Sequence, residues 1–168
     1  MTDQRKLKLE DAMEQYQAPL LQYATRVLNN ADAAQDVVQE AFIRLHKNME
    51  KIERRGVQLK GWLFRTTHNA AVDYIRKESR RRMLHQSQPE PVVFNTNGSG
   101  NDREELVLRH LNVLRPKERE VLVLRLQEGM SYKEIATVVK RSEGYVGTLI
   151  HSATKKLTQS LRQAGVVS

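Results

Sequence analysis

The side chains best suited to chemistry lie in one stretch, LKGWLFRTTHNAAVDYIRKESRRR, residues 59–82. At about 100° per residue on a helix, Trp62, Arg65, Asn69, Asp73 and Arg76 fall along one stripe. The stripe combines an indole, two guanidinium groups and two short hydrogen-bonding side chains. Aromatic and amide groups suit bases, above all bases that have left the stack. The same stretch carries seven basic side chains (Lys60, Arg65, Arg76, Lys77, Arg80, Arg81, Arg82) against two acidic ones, Asp73 and Glu78. A helix dipole favours cations at its C-terminus whatever the function. It needs one or two, however, and five crowd into residues 76–82. Contact with phosphates explains the excess better.

A second constellation is SYKEIATVVKRSEGYVGTLIHSATKKL, residues 131–157. Ser131 with Glu134 makes a capping box for a short helix, and Ser142 caps another after a tight turn. This is a helix-turn-helix pattern, whose last helix would present its N-terminal residues to base edges in the major groove. Ser142, Tyr145, Thr148, Leu149, His151, Ser152 and Lys155 are its candidate DNA contacts. An ordinary helical hairpin is the bland alternative; two caps and a basic flank favour DNA.

A third helix, residues 31–48, has a broad apolar face of Ala34, Val37, Val38, Ala41, Phe42 and Leu45, which is core. Its opposite face holds Asp36, Gln39, Glu40 and Ile43. An exposed Ile is often incidental. An Ile beside carboxylates and an amide is also what a protein-binding patch contains. Spacing alone leaves both readings open.

The elements that must position these residues are helical throughout. Leu9, Met13, Tyr16 and Leu20 start the first apolar stripe, and Pro19 predicts a break or fresh start near Ala18. Asn29 and Asn30 end it. Asp32 is expected to cap the next helix, which runs to about Lys47. A charged loop over Glu50–Gln58, with Gly56, leads into a long helix over Leu59–Arg82. Residues 84–101 are rich in Pro, Gly, Ser, Asn and Gln and read as a linker. Within it, Val92, Val93 and Phe94 form an apolar island that either docks on a domain or contacts a partner.

Beyond it, Asp102 and Glu105 can cap a helix that carries Leu106, Leu111 and Leu114. Pro116 opens the next helix and Gly129 closes it. The last helix carries Val146, Ile150, Ala153, Leu157 and Leu161. No strand pattern of any length is visible. The fold expected is all-α, with two small helical domains, 1–83 and 102–168, joined by a flexible linker, 84–101.

Composition narrows the function. The chain has 168 residues and a net charge of +8, which favours a polyanionic partner, nucleic acid or an anionic membrane surface. It has no cysteine, so disulfides, zinc ribbons and thiol catalysis are excluded. None of its five histidines pairs at i, i+4 spacing, so no metal site is expected. No phosphate loop, carboxylate cluster or Ser/His/Asp arrangement marks an enzyme. The charged start holds no apolar signal core and no window is long enough to span a membrane, so a cytoplasmic protein without membrane insertion is expected.

The motifs together resemble one family over almost the whole chain, the extracytoplasmic-function (ECF) sigma factors of bacteria. DAAQDVVQEAFIRLHK is similar to the family's polymerase-binding helix, and KGWLFRTTHNAAVDYIR to the helix that reads the minus-ten promoter element. LRPKEREVLVLRLQEGMSYKEIA followed by SEGYVG resembles the domain that reads the minus-thirty-five element.

The resemblance implies that Asp36, Gln39, Glu40 and Ile43 contact the clamp of core RNA polymerase. It places Lys60, Trp62, Arg65, Asn69, Asp73, Arg76, Lys77 and Arg80 on the minus-ten element of promoter DNA. The loop near Ile52–Lys60 would hold a flipped base, and the linker would thread toward the polymerase cleft. No cofactor is implied. An anti-sigma factor is the expected inhibitor, and the free chain is expected to be a monomer. Two departures stand out. Lys140 and Arg141 occupy a turn that usually holds Gly and an apolar residue. The recognition helix offers Gly147, Leu149 and Ser152 where the family is usually basic.

The rival classes are a stand-alone helix-turn-helix regulator, an enzyme acting on nucleic acid and a pure interaction module. The first would bind duplex DNA tightly without polymerase, usually as a dimer, yet no dimer helix is visible.

Overall fold

The computed structural model of the chain describes residues 3–85 and 102–167. The expected linker beyond His85, with Val92, Val93 and Phe94, lies outside the described residues. All regular elements among the described residues are helices, and they divide into two compact units.

The first unit packs α1 (Asp3–Leu28), α2 (Ala31–Arg55) and α3 (Leu59–His85) on one another. Pro19 does not break α1. A proline inside a helix costs about 3 kcal/mol. Here Leu20, Tyr23 and Ala24 follow it directly and are fully buried, so tertiary packing outweighs the local penalty. Asn29, in the left-handed conformation, ends the helix.

The cap of α2 is Asn30 rather than Asp32. Asn30 Oδ1 accepts a hydrogen bond from the Ala33 amide at 3.0 Å. Of the expected charged loop, Glu50 to Arg55 is instead the end of α2, and Gly56 to Gln58 form the connection to α3. Met49 and Ile52 continue the buried stripe after Leu45, and the charges around them are the helix's wet face. Gly56 stops the helix at φ 63°, with its amide and that of Val57 bonded to the Glu53 and Ile52 carbonyls. Arg5–Glu50 and Lys8–Glu53 ion pairs tie α1 to α2 at 2.8 and 2.7 Å. Both are exposed, so each is worth about 0–1 kcal/mol.

Leu63, Phe64, Thr67, Ala70 and Ala71 bury the first half of α3, where Phe64 meets Tyr23 with ring centroids 5.4 Å apart. No residue from Val72 to His85 is buried. The helix nonetheless runs through Leu84 and His85, past the expected boundary at 83.

The second unit holds α4 (Asp102–Arg109), a 3-10 turn (His110–Val113), α5 (Pro116–Leu126), α6 (Tyr132–Val139) and α7 (Glu143–Gln163). Leu111, Leu114, Val121, Leu124 and the five stripe residues of α7 are all buried. Pro116 stands at the start of α5, where its missing N–H costs nothing. The chain then reverses through Gly129 at φ 63°. Arg125 fixes that bend: it donates to the Met130 carbonyl at 2.9 Å and covers the Tyr132 ring at 5.2 Å.

Candidate functional site

Four exposed residues on α2, Asp36, Gln39, Glu40 and Ile43, form the outward stripe expected from their spacing. Ile43 keeps 49% of its surface open. Arg44 pairs with Glu40 at 2.6 Å and holds that carboxylate in place. The structure adds what spacing could not give. Beside the stripe is an open, mainly apolar cavity of about 540 Å³, walled by Leu9, Met13 and Leu21 of α1 and Val38, Phe42 and Ile43 of α2, together with Gln17, Gln35, Gln39 and His46. Leu9 and Met13 had been legible only as a helical apolar stripe.

On α3, Lys60, Trp62, Arg65 and Asn69 are half-buried, while Asp73, Arg76, Lys77 and Arg80 are exposed. Trp62 and Arg65 border a second cavity, of about 320 Å³. Its other walls come from the last turns of α2 and the tight connection: Arg44, Asn48, Lys51, Ile52, Arg55 and Val57, with Thr66 at the back. No carboxylate lines it. Lys51, Arg55 and Arg65 have no ion-pair partner among the described residues. An indole, three uncompensated cations and a small apolar floor suit a planar, electron-rich ring attached to phosphate. The sequence concealed this set because Lys51 and Arg55 fell in a presumed loop.

In the second unit, Ser131 and Glu134 form a reciprocal cap, each bond 3.1 Å. Ser142 Oγ accepts from the Tyr145 amide at 3.1 Å. Lys140 takes the left-handed turn at φ 58°, a conformation that costs a non-glycine residue about 1–2 kcal/mol. Along α7, Tyr145, Thr148, His151 and Lys155 are exposed, and Leu149 is half-buried. Arg141 lies over the Tyr145 ring at 5.4 Å. Thr148 Oγ1 donates to the Gly144 carbonyl at 3.0 Å.

Ser152 is engaged elsewhere. Its hydroxyl donates to Glu118 Oε2 at 2.9 Å, and Lys156 Nζ donates to Glu118 Oε1 at 2.8 Å. The Glu118 side chain is only 4% exposed. Burial pushes its carboxyl up, but the bonds from Lys156 and Ser152, the Lys156 charge and the Arg115 amide outweigh burial and hold it below the usual value of 4.5. Sequence reading missed Glu118, because nothing in its spacing to α7 is local.

Among the described residues no group of three His, Asp or Glu side chains is arranged to hold a metal ion, and no helix is long and apolar enough to cross a membrane.

Residues 12–81 match the family description Sigma-70 region 2, and residues 104–157 match Sigma-70, region 4. The RNA polymerase sigma-E factor of Streptomyces coelicolor is 30% identical, over 92% of this chain and 86% of that protein. The ECF RNA polymerase sigma factor SigL of Mycobacterium tuberculosis is 29% identical, over 91% of this chain and 88% of its own. The fold is similar to that of the sigma factor RpoE of Bartonella quintana, solved with the anti-sigma factor NepR. That match has a TM-score of 0.81 at 22% identity and covers 92% of this chain and 97% of that one.

Regions two and four in this order define the sigma-70 class of transcription initiation factors. The chain belongs to the ECF family of RNA polymerase sigma factors. It acts with core RNA polymerase and directs promoter recognition and transcription initiation.

Proposed function

We propose the following division of labour. Residues 1–83 dock on the polymerase clamp and melt the minus-ten element, residues 102–168 hold the minus-thirty-five element, and residues 84–101 connect them through the polymerase. Asp36, Gln39, Glu40 and Ile43 make the clamp contact, and the apolar cavity beside them receives a side chain of the polymerase. The reaction chemistry belongs to the polymerase: this chain binds and orients, with no covalent step and no cofactor. It works in the cytoplasm as a free monomer until it meets the enzyme.

The observation that carries the minus-ten reading is the cavity of about 320 Å³ between α2 and α3, with Trp62 on its wall and no carboxylate in its lining. A flipped base fills it, Lys51, Arg55 and Arg65 hold the adjoining phosphates, and Asn69 and Asp73 meet neighbouring bases. Arg76, Lys77 and Arg80 extend the phosphate track, with Lys60 at its start. Unstacking costs a few kcal/mol, and stacking on an aromatic returns about 1–3 kcal/mol per base.

Permanganate reactivity of promoter thymines in the reconstituted holoenzyme tests this. Trp62→Ala is expected to cut bubble formation by about 5- to 150-fold, while core binding and the circular dichroism spectrum hold. Asn69→Ala is expected to act in the same direction. Equal losses in melting and in core binding would refute the assignment.

An anti-sigma factor is the natural inhibitor. The solved relatives RpoE and CnrH are described in complex with NepR and with the cytosolic domain of CnrY. We place its binding on the α2 stripe and the neighbouring apolar cavity, in competition with polymerase.

A further inference from the structure

The recognition helix is sparingly charged, and one of its cations is already spent. From Glu143 to Gln163 its basic residues are Lys155, Lys156 and Arg162. Lys155 is exposed. Lys156 lies 2.8 Å from a carboxylate that is 4% exposed. That carboxylate, Glu118, belongs to the first turn of α5 and also accepts a hydrogen bond from the Ser152 hydroxyl at 2.9 Å. Ser152 and Lys156 are one turn apart, so Glu118 grips a single flank of α7.

The electrostatics decide where Lys156 acts. For Lys156 to join a DNA phosphate it would have to leave Glu118 as a buried carboxylate without its cation. Lys156 keeps 42% of its side chain exposed, but withdrawing it would strand a carboxylate that is 4% exposed, which costs more than a single phosphate contact returns. Lys156 therefore stays with Glu118 when DNA arrives, and its charge is cancelled at the protein surface. The same carboxylate holds the Ser152 proton, so Ser152 cannot donate it to a base. What remains for DNA are Tyr145, Leu149, His151 and Lys155, with the methyl group and acceptor lone pairs of Thr148, whose hydroxyl proton goes to the Gly144 carbonyl.

We infer that Glu118 is a specificity-determining positioning residue: it withholds Lys156 and the Ser152 donor from DNA, so that the recognition helix reads the upstream element with little phosphate attraction. A helix that draws less affinity from phosphate, which is the same at every sequence, discriminates more through its base contacts. The inference rests on the reading that α7 lies on promoter DNA.

The test is the salt dependence of binding by holoenzyme, reconstituted from core polymerase and the full chain, on promoter duplex selected by the wild-type holoenzyme. Each phosphate neutralised by a side chain contributes about 0.9 to the slope of log affinity against log salt. Lys155→Gln is expected to make the slope shallower by about 0.9, and Lys156→Gln to leave it unchanged. Glu118→Gln, which keeps the shape but not the charge, is expected to steepen it by up to about 0.9 and to raise affinity for non-promoter duplex. The double variant Glu118→Gln with Lys156→Gln is expected to return to the wild-type slope, which a merely structural role for Glu118 would not produce. If Lys156→Gln flattens the slope as much as Lys155→Gln does, the withholding is wrong and the DNA reading of α7 stands. If neither lysine variant changes the slope, α7 is not on the DNA and both readings fall. Lys156→Gln alone strands the Glu118 carboxylate; should either single variant fail to fold, the double variant, which strands nothing, still decides, since a slope flatter than wild type would mean that Lys156 contacts DNA.

Discussion

Replacing Ile43 probes the polymerase-docking stripe where its energetics are simplest. Full burial of an isoleucine is worth about 1.5–3 kcal/mol. Ile43 has 49% of its surface open in the free chain, so docking has about half of that still to gain, roughly 0.7–1.5 kcal/mol. Ile43→Ala should then weaken core polymerase binding by about 3- to 12-fold. Ile43→Glu adds the cost of desolvating a charge, about 1–3 kcal/mol, beside Glu40 and Asp36 on the same stripe. The total, about 1.7 kcal/mol at the least, is a loss of roughly 20-fold or more. The other half is already buried in the free chain, so by the same measure folding stability should fall by about 0.7–1.5 kcal/mol, too little to unfold the chain. Fluorescence titration of labelled chain with core polymerase measures the first quantity, and thermal unfolding by circular dichroism the second. A loss under about 3-fold for glutamate, with the fold intact, would remove Ile43 from the interface and weaken the case for the whole stripe.

Two further outcomes follow from the second unit. Lys140→Gly should relieve the left-handed turn between α6 and α7 and stabilise the chain by up to about 1 kcal/mol in urea unfolding. A destabilisation would mean the Lys140 side chain makes a compensating contact. The second outcome concerns pH. The Glu118 carboxyl is held below its usual 4.5, so its contribution to stability is complete above that pH and fades as pH falls through the folded value. Unfolding of wild type against Glu118→Gln should show a gap that is constant near neutrality and narrows below about pH 4.5; a gap independent of pH would refute the charged pairing.

The sequence made the helical class and the outward stripe on α2 readable, because both rest on a period of 3.6 residues. The caps at Ser131 and Ser142 were readable too, since a cap is a contact within one turn. What misled was local propensity where tertiary contact ruled. Pro19 argued for a break that the burial of Leu20 and Tyr23 overrides. Glu50–Gln58 looked like a loop because its charges outnumber its apolar residues, yet Met49 and Ile52 are enough to keep α2 on the core. The cation-lined cavity depended on that error being corrected, since Lys51 and Arg55 face it only from a helix. Glu118 was invisible for another reason: its partners lie 34 and 38 residues away, and no periodicity links them.

The last half of α3 has no core to lean on, since nothing from Val72 to His85 is buried. Its helix rests on intrinsic propensity and on surface charges, where Asp73–Lys77 and Glu78–Arg82 attract but Arg76–Arg80 and Lys77–Arg81 repel at the same i, i+4 spacing. The Glu78–Arg81 contact at 3.6 Å offsets little of this. A polyanion laid along that face turns the repulsion into attraction. In the proposed minus-ten contact, promoter DNA is thus an agent of secondary structure as well as a target. Amide hydrogens of the final turns should exchange rapidly in the free chain and slow in the promoter complex, so that part of the binding enthalpy is the enthalpy of completing a helix.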